Sequence, residues 1–319
     1  MLDLERKQAV KRCLDEFQQL VRMVDARDGA GESASERVSA FRSAIEELVP
    51  VACEIEARLV GELKEKLSRT GLLRSDPALT QHIDEVIARL DKVSWLPGAL
   101  SQPGSGTLRL YFVRHAESTG NEERRLQGSR IPGALTPLGH AQSRRTAEYL
   151  FENFADLRSA NAFLVSSPIG RALESAWPIS DSFGCPLATE ADLSELDFGD
   201  WSGRYFADLE ATASYRDWME DKWFNSPPAG ESLFEVRTRM CQAVSSILSR
   251  AATDHRSLII VTHFFPLVAM CSSLFPGMIF RPDNSSISIV EVDSGRCHPR
   301  VINYVAHLGK DRPVPVAYV

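Results

Sequence analysis

From Leu108 onward, short apolar runs alternate with longer amphipathic stretches, a rhythm that the preceding residues do not share. The runs Leu108–Val113, Ala162–Val165, Leu258–Val261 and Ile287–Val292 are rich in β-branched and aromatic residues and end in polar turns, so they predict strands. Between them, Thr136–Phe151, Ile169–Ser182, Leu233–Ala252 and Pro266–Leu274 repeat their apolar positions with the helical period. Strands alternating with helices predict an α/β domain, a three-layer sandwich with a mainly parallel central sheet between two helical layers.

Residues 1–96 carry helical spacing alone. Leu14, Phe17, Leu20, Val21 and Val24 form one stripe; Val38, Phe41, Ile45 and Leu48 form a second; Leu79, Ile83, Val86, Ile87 and Leu90 form a third. A helical N-terminal domain is expected there. Residues 97–107, with Pro97-Gly98 and Pro103-Gly104-Ser105-Gly106, read as a linker. The α/β domain then occupies 108–319. The N-terminal stripes suit three uses: packing among themselves, capping the α/β domain, or forming a homodimer or partner-protein interface.

Composition narrows the function more than the fold. With a net charge of -7 and a pI near 5.6, the 319-residue chain does not offer the broad basic face that nucleic acid requires. No apolar run approaches membrane-spanning length, and the start, with Leu2-Asp3-Leu4-Glu5-Arg6-Lys7, lacks the basic stretch followed by an apolar one that a secretory signal has. The six cysteines lack metal-ligand spacing, which fits reduced thiols in the cytoplasm. Neither a metal nor another cofactor is expected.

Three predicted strands end on chemically capable residues. The first runs into Arg114-His115, the second into Ser166-Ser167-Pro168-Ile169-Gly170-Arg171, and the third into Thr262-His263. In a parallel sheet such ends share one edge, so two imidazoles and two guanidinium groups can converge on an anion. Guanidinium forks beside a helix N-terminus suit a phosphate. Glu195, in the aromatic and glycine-rich segment Leu193–Gly203, adds a carboxyl able to move a proton.

The set Arg114-His115-Ala116-Glu117-Ser118-x-x-Asn121, Gln127-Gly128, Leu135-Thr136-x-x-Gly139, Ser166-Ser167-Pro168-x-x-Arg171, Glu195, Gly199-x-Trp201-x-Gly203, Gly230-Glu231-Ser232 and Thr262-His263 resembles the histidine phosphatase superfamily, the phosphoglycerate mutase-like group. The resemblance covers about Leu108 to Leu308. It implies that His115 is a nucleophile that becomes phosphohistidine. By the same resemblance Arg114, Arg171 and His263 bind the phosphoryl oxygens, Glu195 donates the proton and later acts as base, and Asn121, Gln127 and Gly128 lie near the substrate. The substrate implied is a phosphorylated small molecule, and Arg124-Arg125-Leu126-Gln127-Gly128 looks like the phosphatase branch rather than the mutase branch. Arg124, Arg125 and Arg130 are candidates for a second anionic group of the substrate. A phosphomutase, or a non-catalytic phosphoryl-ligand-binding or scaffold protein, is the alternative.

Two positions depart from the family pattern. Ala116 stands where glycine is usual, which is acceptable if its φ is negative. Phe264-Phe265 follows His263 where glycine is common, which puts bulk at the wall of the site.

Overall fold

The structure is a computed structural model and describes residue 81 and residues 107–159, 162–223, 225–251, 257–275, 280–293 and 296–311. The helical stripes expected over 1–96 and nearly all of the linker lie outside the described residues.

Six strands form one sheet in the order β3-β2-β4-β1-β5-β6: β1 (Leu108–Arg114), β2 (Phe163–Ser166), β3 (Leu187–Thr189), β4 (Ser257–Thr262), β5 (Ile287–Asp293) and β6 (Arg296–Tyr304). The pairs β1/β4, β2/β4 and β2/β3 are parallel, whereas β1/β5 and β5/β6 are antiparallel. The sheet is therefore mixed but mainly parallel, as the alternation predicts: β5 alone runs against the other five strands. The register matters for function: Arg114 pairs with Thr262, and Ser166 with Val261, so β1, β2 and β4 end at the same level.

The helices are α1 (Thr119–Glu122), α2 (Pro137–Asn153), α3 (Ala155–Ser159), α4 (Gly170–Phe183), α5 (Phe206–Glu210), α6 (Ala213–Glu220), α7 (Leu233–Arg250) and α8 (Phe264–Leu274). Their starts are written locally. Thr136 caps α2, accepting from Gly139 N with Pro137 behind it, and Ser232 caps α7 in a box with Glu235.

Strand alternation divides the core. Tyr111, Val113, Leu164, Ile259, Val261, Ile287 and Ile289 pack against Ala147 and Leu150 of α2 and Ala172, Ala176 and Ile179 of α4. The intervening residues Leu110, Phe112, Val165, Leu258 and Ile260 are equally buried and point the other way, where α8 meets β1 and α7 packs on α8. Burial on both faces explains why β1 and β4 are nearly continuous apolar runs.

Candidate active site

The strand order brings His115 and His263 side by side. Each lies one residue beyond the end of its strand, their ring centroids are 5.0 Å apart, and the His115 backbone N–H donates to the Thr262 carbonyl at 2.9 Å. The side chains of Arg114, His115, Arg171, Glu195 and His263 are all buried.

His115 has a defined tautomer. Its Nδ1 lies 2.7 Å from the Ala116 carbonyl oxygen, which can only accept, so Nδ1 carries the hydrogen and Nε2 keeps its lone pair. Arg171 Nε donates to that Nε2 at 3.2 Å. Ala116 is not among the residues with positive φ, and its N–H donates to Ser175 Oγ at 2.9 Å, so its methyl group is accommodated.

Arg171, in the first turn of α4, also ties down the opposite wall. Its Nη2 donates to Gly128 O at 2.9 Å and its Nη1 to Ile131 O at 2.8 Å and Pro132 O at 3.2 Å. Gly128 has φ of 59°, and a Cβ there would lie 2.9 Å from the Leu196 carbonyl, so glycine is required by both conformation and space. Arg114 Nη1 donates to Pro282 O at 2.7 Å.

His263 Nε2 lies 2.7 Å from Ser167 Oγ, while its Nδ1 has no hydrogen-bond partner among the described residues. Glu195 sits at the N-terminus of α8. Its Oε1 accepts from Leu196 N at 2.9 Å and Phe265 N at 3.0 Å, and its Oε2 from Phe264 N at 3.2 Å. Arg239 fixes the loop behind it by donating to the carbonyls of Asp192 (2.9 Å), Ser194 (2.6 Å) and Glu195 (3.0 Å). Glu231, from the Gly230-Glu231-Ser232 motif, pairs with Arg239 at 3.0 Å and so helps to position Glu195 from a distance.

These groups open on a cleft with an empty volume of about 320 Å³. Arg114, His115, Arg171 and Glu195 line it together with Asn121, Gln127 and Gly128. Ser118 links two of these: its hydroxyl lies 2.8 Å from Asn121 Oδ1 and accepts from Gln127 Nε2 at 2.9 Å. Phe264 and Phe265 are in the wall, where bulk was expected. Arg124 and Arg130 are not. Arg124 is exposed with φ of 56°, and Arg130 is held by Asp197 at 2.7 Å and by the Ala229 carbonyl at 2.7 Å. The arginine in the lining is their neighbour Arg125, stacked over the Tyr205 ring at 3.9 Å. Ser167, Arg239 and Asn284, which donates to His115 O at 3.1 Å, were not singled out in the sequence. Ser167 alone had a signal, its place in the Ser166-Ser167-Pro168 motif.

Among the described residues, no group of three or more His, Cys, Asp or Glu side chains is placed to hold a metal ion. Arg114, Arg125 and Arg171 supply the cleft with positive charge.

Burial, followed by the charges of Arg171 and Arg114, holds the His115 imidazole well below its usual value, against a smaller opposing effect of the Ala116 hydrogen bond. Burial dominates at His263 too, followed by Arg171, His115, Arg239 and Arg114. Both folded-state values lie below the unfolded value of about 6.5, so unfolding takes up protons below that pH. The stability these neutral rings contribute is complete above about pH 6.5 and is lost as pH falls toward their folded values, by up to about 1.4 kcal/mol per pH unit for each ring. Urea unfolding followed between about pH 7.5 and 5.5 should show this decline, and H115Q should make it shallower. An unchanged slope in H115Q would mean that His115 is protonated in the folded protein.

Comparison with known proteins gives a consistent set. Residues 110–305 match the family model described as Histidine phosphatase superfamily (branch 1). The bifunctional protein Rv2228c of Mycobacterium tuberculosis is 29% identical over 279 residues, 85% of this chain and 72% of its own length. That match is longer than the α/β domain and so reaches back before Leu108. Phosphoserine phosphatase 1 of Hydrogenobacter thermophilus is 28% identical over 64% of this chain and 95% of its own. Among solved structures, Bacillus stearothermophilus YhfR superposes with a TM-score of 0.55 at 27% identity, covering 63% of this chain and 98% of that one.

Proposed function

This chain belongs to the histidine phosphatase superfamily, branch 1, and we propose that it hydrolyses a phosphomonoester without a metal, through a phosphohistidine formed on His115. That it acts on phosphate esters is supported by the family and by its phosphatase-named relatives. The observation that carries the finer reading is the Nδ1–H bond from His115 to the Ala116 carbonyl, which leaves the Nε2 lone pair beside Arg171.

In this mechanism the phosphoryl group of a small-molecule substrate lies among Arg114, Arg171 and His263. Nε2 attacks phosphorus, the bond to the ester oxygen breaks, and Glu195 gives that oxygen a proton. Glu195 then takes a proton from water, the water oxygen attacks phosphorus, and the P–N bond breaks to return His115 and free phosphate. Splitting the displacement in two lowers each barrier. The guanidinium groups, fixed beforehand by backbone carbonyls, meet the charge that spreads over the equatorial oxygens. A phosphoryl oxygen that accepts the N–H groups of Phe264 and Phe265 would free the Glu195 carboxyl for this work.

The test is a phosphate-release panel over many monophosphates, run with EDTA and with an alcohol acceptor. The expected result is free phosphate at a rate that EDTA does not change. Loss of release in EDTA would sink the metal-free mechanism. Phosphoryl transfer to the alcohol without free phosphate would favour the mutase reading, which a relative named probable phosphoglycerate mutase GpmB, of Proteus mirabilis, at 31% identity keeps in play.

A further inference from the structure

Beside the catalytic cleft lies a second, larger cavity, with an empty volume of about 620 Å³. The two share Phe198, Phe206, Phe264 and Phe265, so these side chains form the partition between them. Tyr215, Trp218 and Phe280 extend the aromatic wall away from His115. Its lining has the make-up of a small-molecule site, mostly apolar with a few placed polar groups.

Here the polar groups are two cations. Lys222 and Arg281 both line the chamber, and among the described residues no aspartate or glutamate joins them in the lining. The Lys222 ammonium is 5.3 Å from the Trp218 ring centroid. Burial and then the charge of Arg281 push it below its usual value, so the two cations are close enough to repel each other in a partly dry setting. Such a pair is stabilised by an anion that both can reach. Trp218 adds a donor: it is 3% exposed, and its indole Nε1–H has no acceptor among the described residues.

Building on the phosphatase reading, we propose that this aromatic chamber, with Lys222 and Arg281 in its wall, binds the rest of the substrate: a ring-bearing apolar body that carries a second anionic group. The phosphoryl end sits at His115, the body crosses the edge of the partition made by Phe198, Phe206, Phe264 and Phe265, and the second anion meets the lysine and arginine. This assigns the recognition of a second charge to Lys222 and Arg281, not to Arg124 and Arg130.

The experiment compares three substrates on the full chain: 2-naphthyl phosphate, its 6-carboxy derivative and naphthalene-2,6-bisphosphate. Wild type should favour at least one dianionic-body substrate over 2-naphthyl phosphate by about tenfold or more in kcat/KM, since a charge-assisted hydrogen bond contributes about 1.5–3 kcal/mol. Which of the two is favoured identifies the second anion as carboxylate or phosphate. In K222Q and R281Q that ratio should fall toward one. Because the ratio is taken within one protein, partial loss of folded enzyme cancels from it. A wild-type ratio near one, or a ratio that both variants leave unchanged, would overturn the proposal. Binding of the same compounds is followed by tryptophan fluorescence: tight binding of the dianionic-body compound without turnover, weakened in R281Q, would retain the subsite and overturn the phosphatase reading. Neither binding nor turnover would overturn both.

Discussion

Replacing His115 by alanine abolishes turnover, with an expected loss on the order of 10⁵-fold or more, as for other nucleophiles whose removal leaves only binding and charge stabilisation. The wild-type protein, mixed with ³²P-labelled substrate and quenched in alkali, should retain label, and acid should release it, because a P–N bond is acid-labile and alkali-stable. H115A should retain none. H115N is the sharper variant, since its side-chain amide can still donate to the Ala116 carbonyl that now accepts from Nδ1 at 2.7 Å. It keeps the local hydrogen bond and lacks the lone pair. Residual activity within tenfold of wild type in H115N would remove His115 from the reaction.

Arg171 carries the second large effect because it serves two masters. It donates to His115 Nε2 and to three carbonyls of the 128–132 loop, and it is only 1% exposed. In R171M the loop carbonyls lose their donor, at about 1–3 kcal/mol for each one left buried and unpaired. Loss of the guanidinium from the phosphoryl group should lower kcat/KM by about 10³-fold. R171K separates charge from shape: a lysine keeps the charge but cannot reproduce the planar fork, and a loss of about 10²-fold is expected even with a wild-type unfolding temperature. If R171K works within about threefold of wild type, charge alone suffices and the fork has no special role.

Arg114, His115 and His263 stood out in the sequence as candidates because each lies at the end of a strand that the sequence announces. β1 and β4 are buried on both faces, so their apolar runs are nearly unbroken, and Arg114-His115 and Thr262-His263 stand out at their ends. β3 and β6 were not legible. Leu187–Thr189 is too short to show a period, and β6 at the sheet's other edge holds Arg296, His298, Pro299 and Arg300, residues an edge strand tolerates and a central one does not. Nor does an alternating pattern encode direction, which is why the strand expected at Ile287–Val292 gave no sign that it runs against β1. Within the site, adjacent arginines are the instructive case. Arg124 and Arg125 are equivalent as letters, yet the turn at Arg124 sends only Arg125 to the cleft. Arg239 and Asn284 act on Glu195 and His115 from 44 and 169 positions away, a relation that only the folded chain defines.

The reversed β5 has a kinetic consequence. Because it runs against β1, its entering segment, not its exit, arrives at the catalytic edge, and that segment holds Phe280, Arg281, Pro282 and Asn284. The first two line the aromatic chamber; the last two hold Arg114 and the His115 backbone. On the proposed reading, a substrate body that grips Arg281 would pull on the short strip of chain that holds Arg114 and the His115 backbone. Binding energy delivered through that strip is felt at the moment of bond making, so a truncated substrate should lose turnover rate more than affinity.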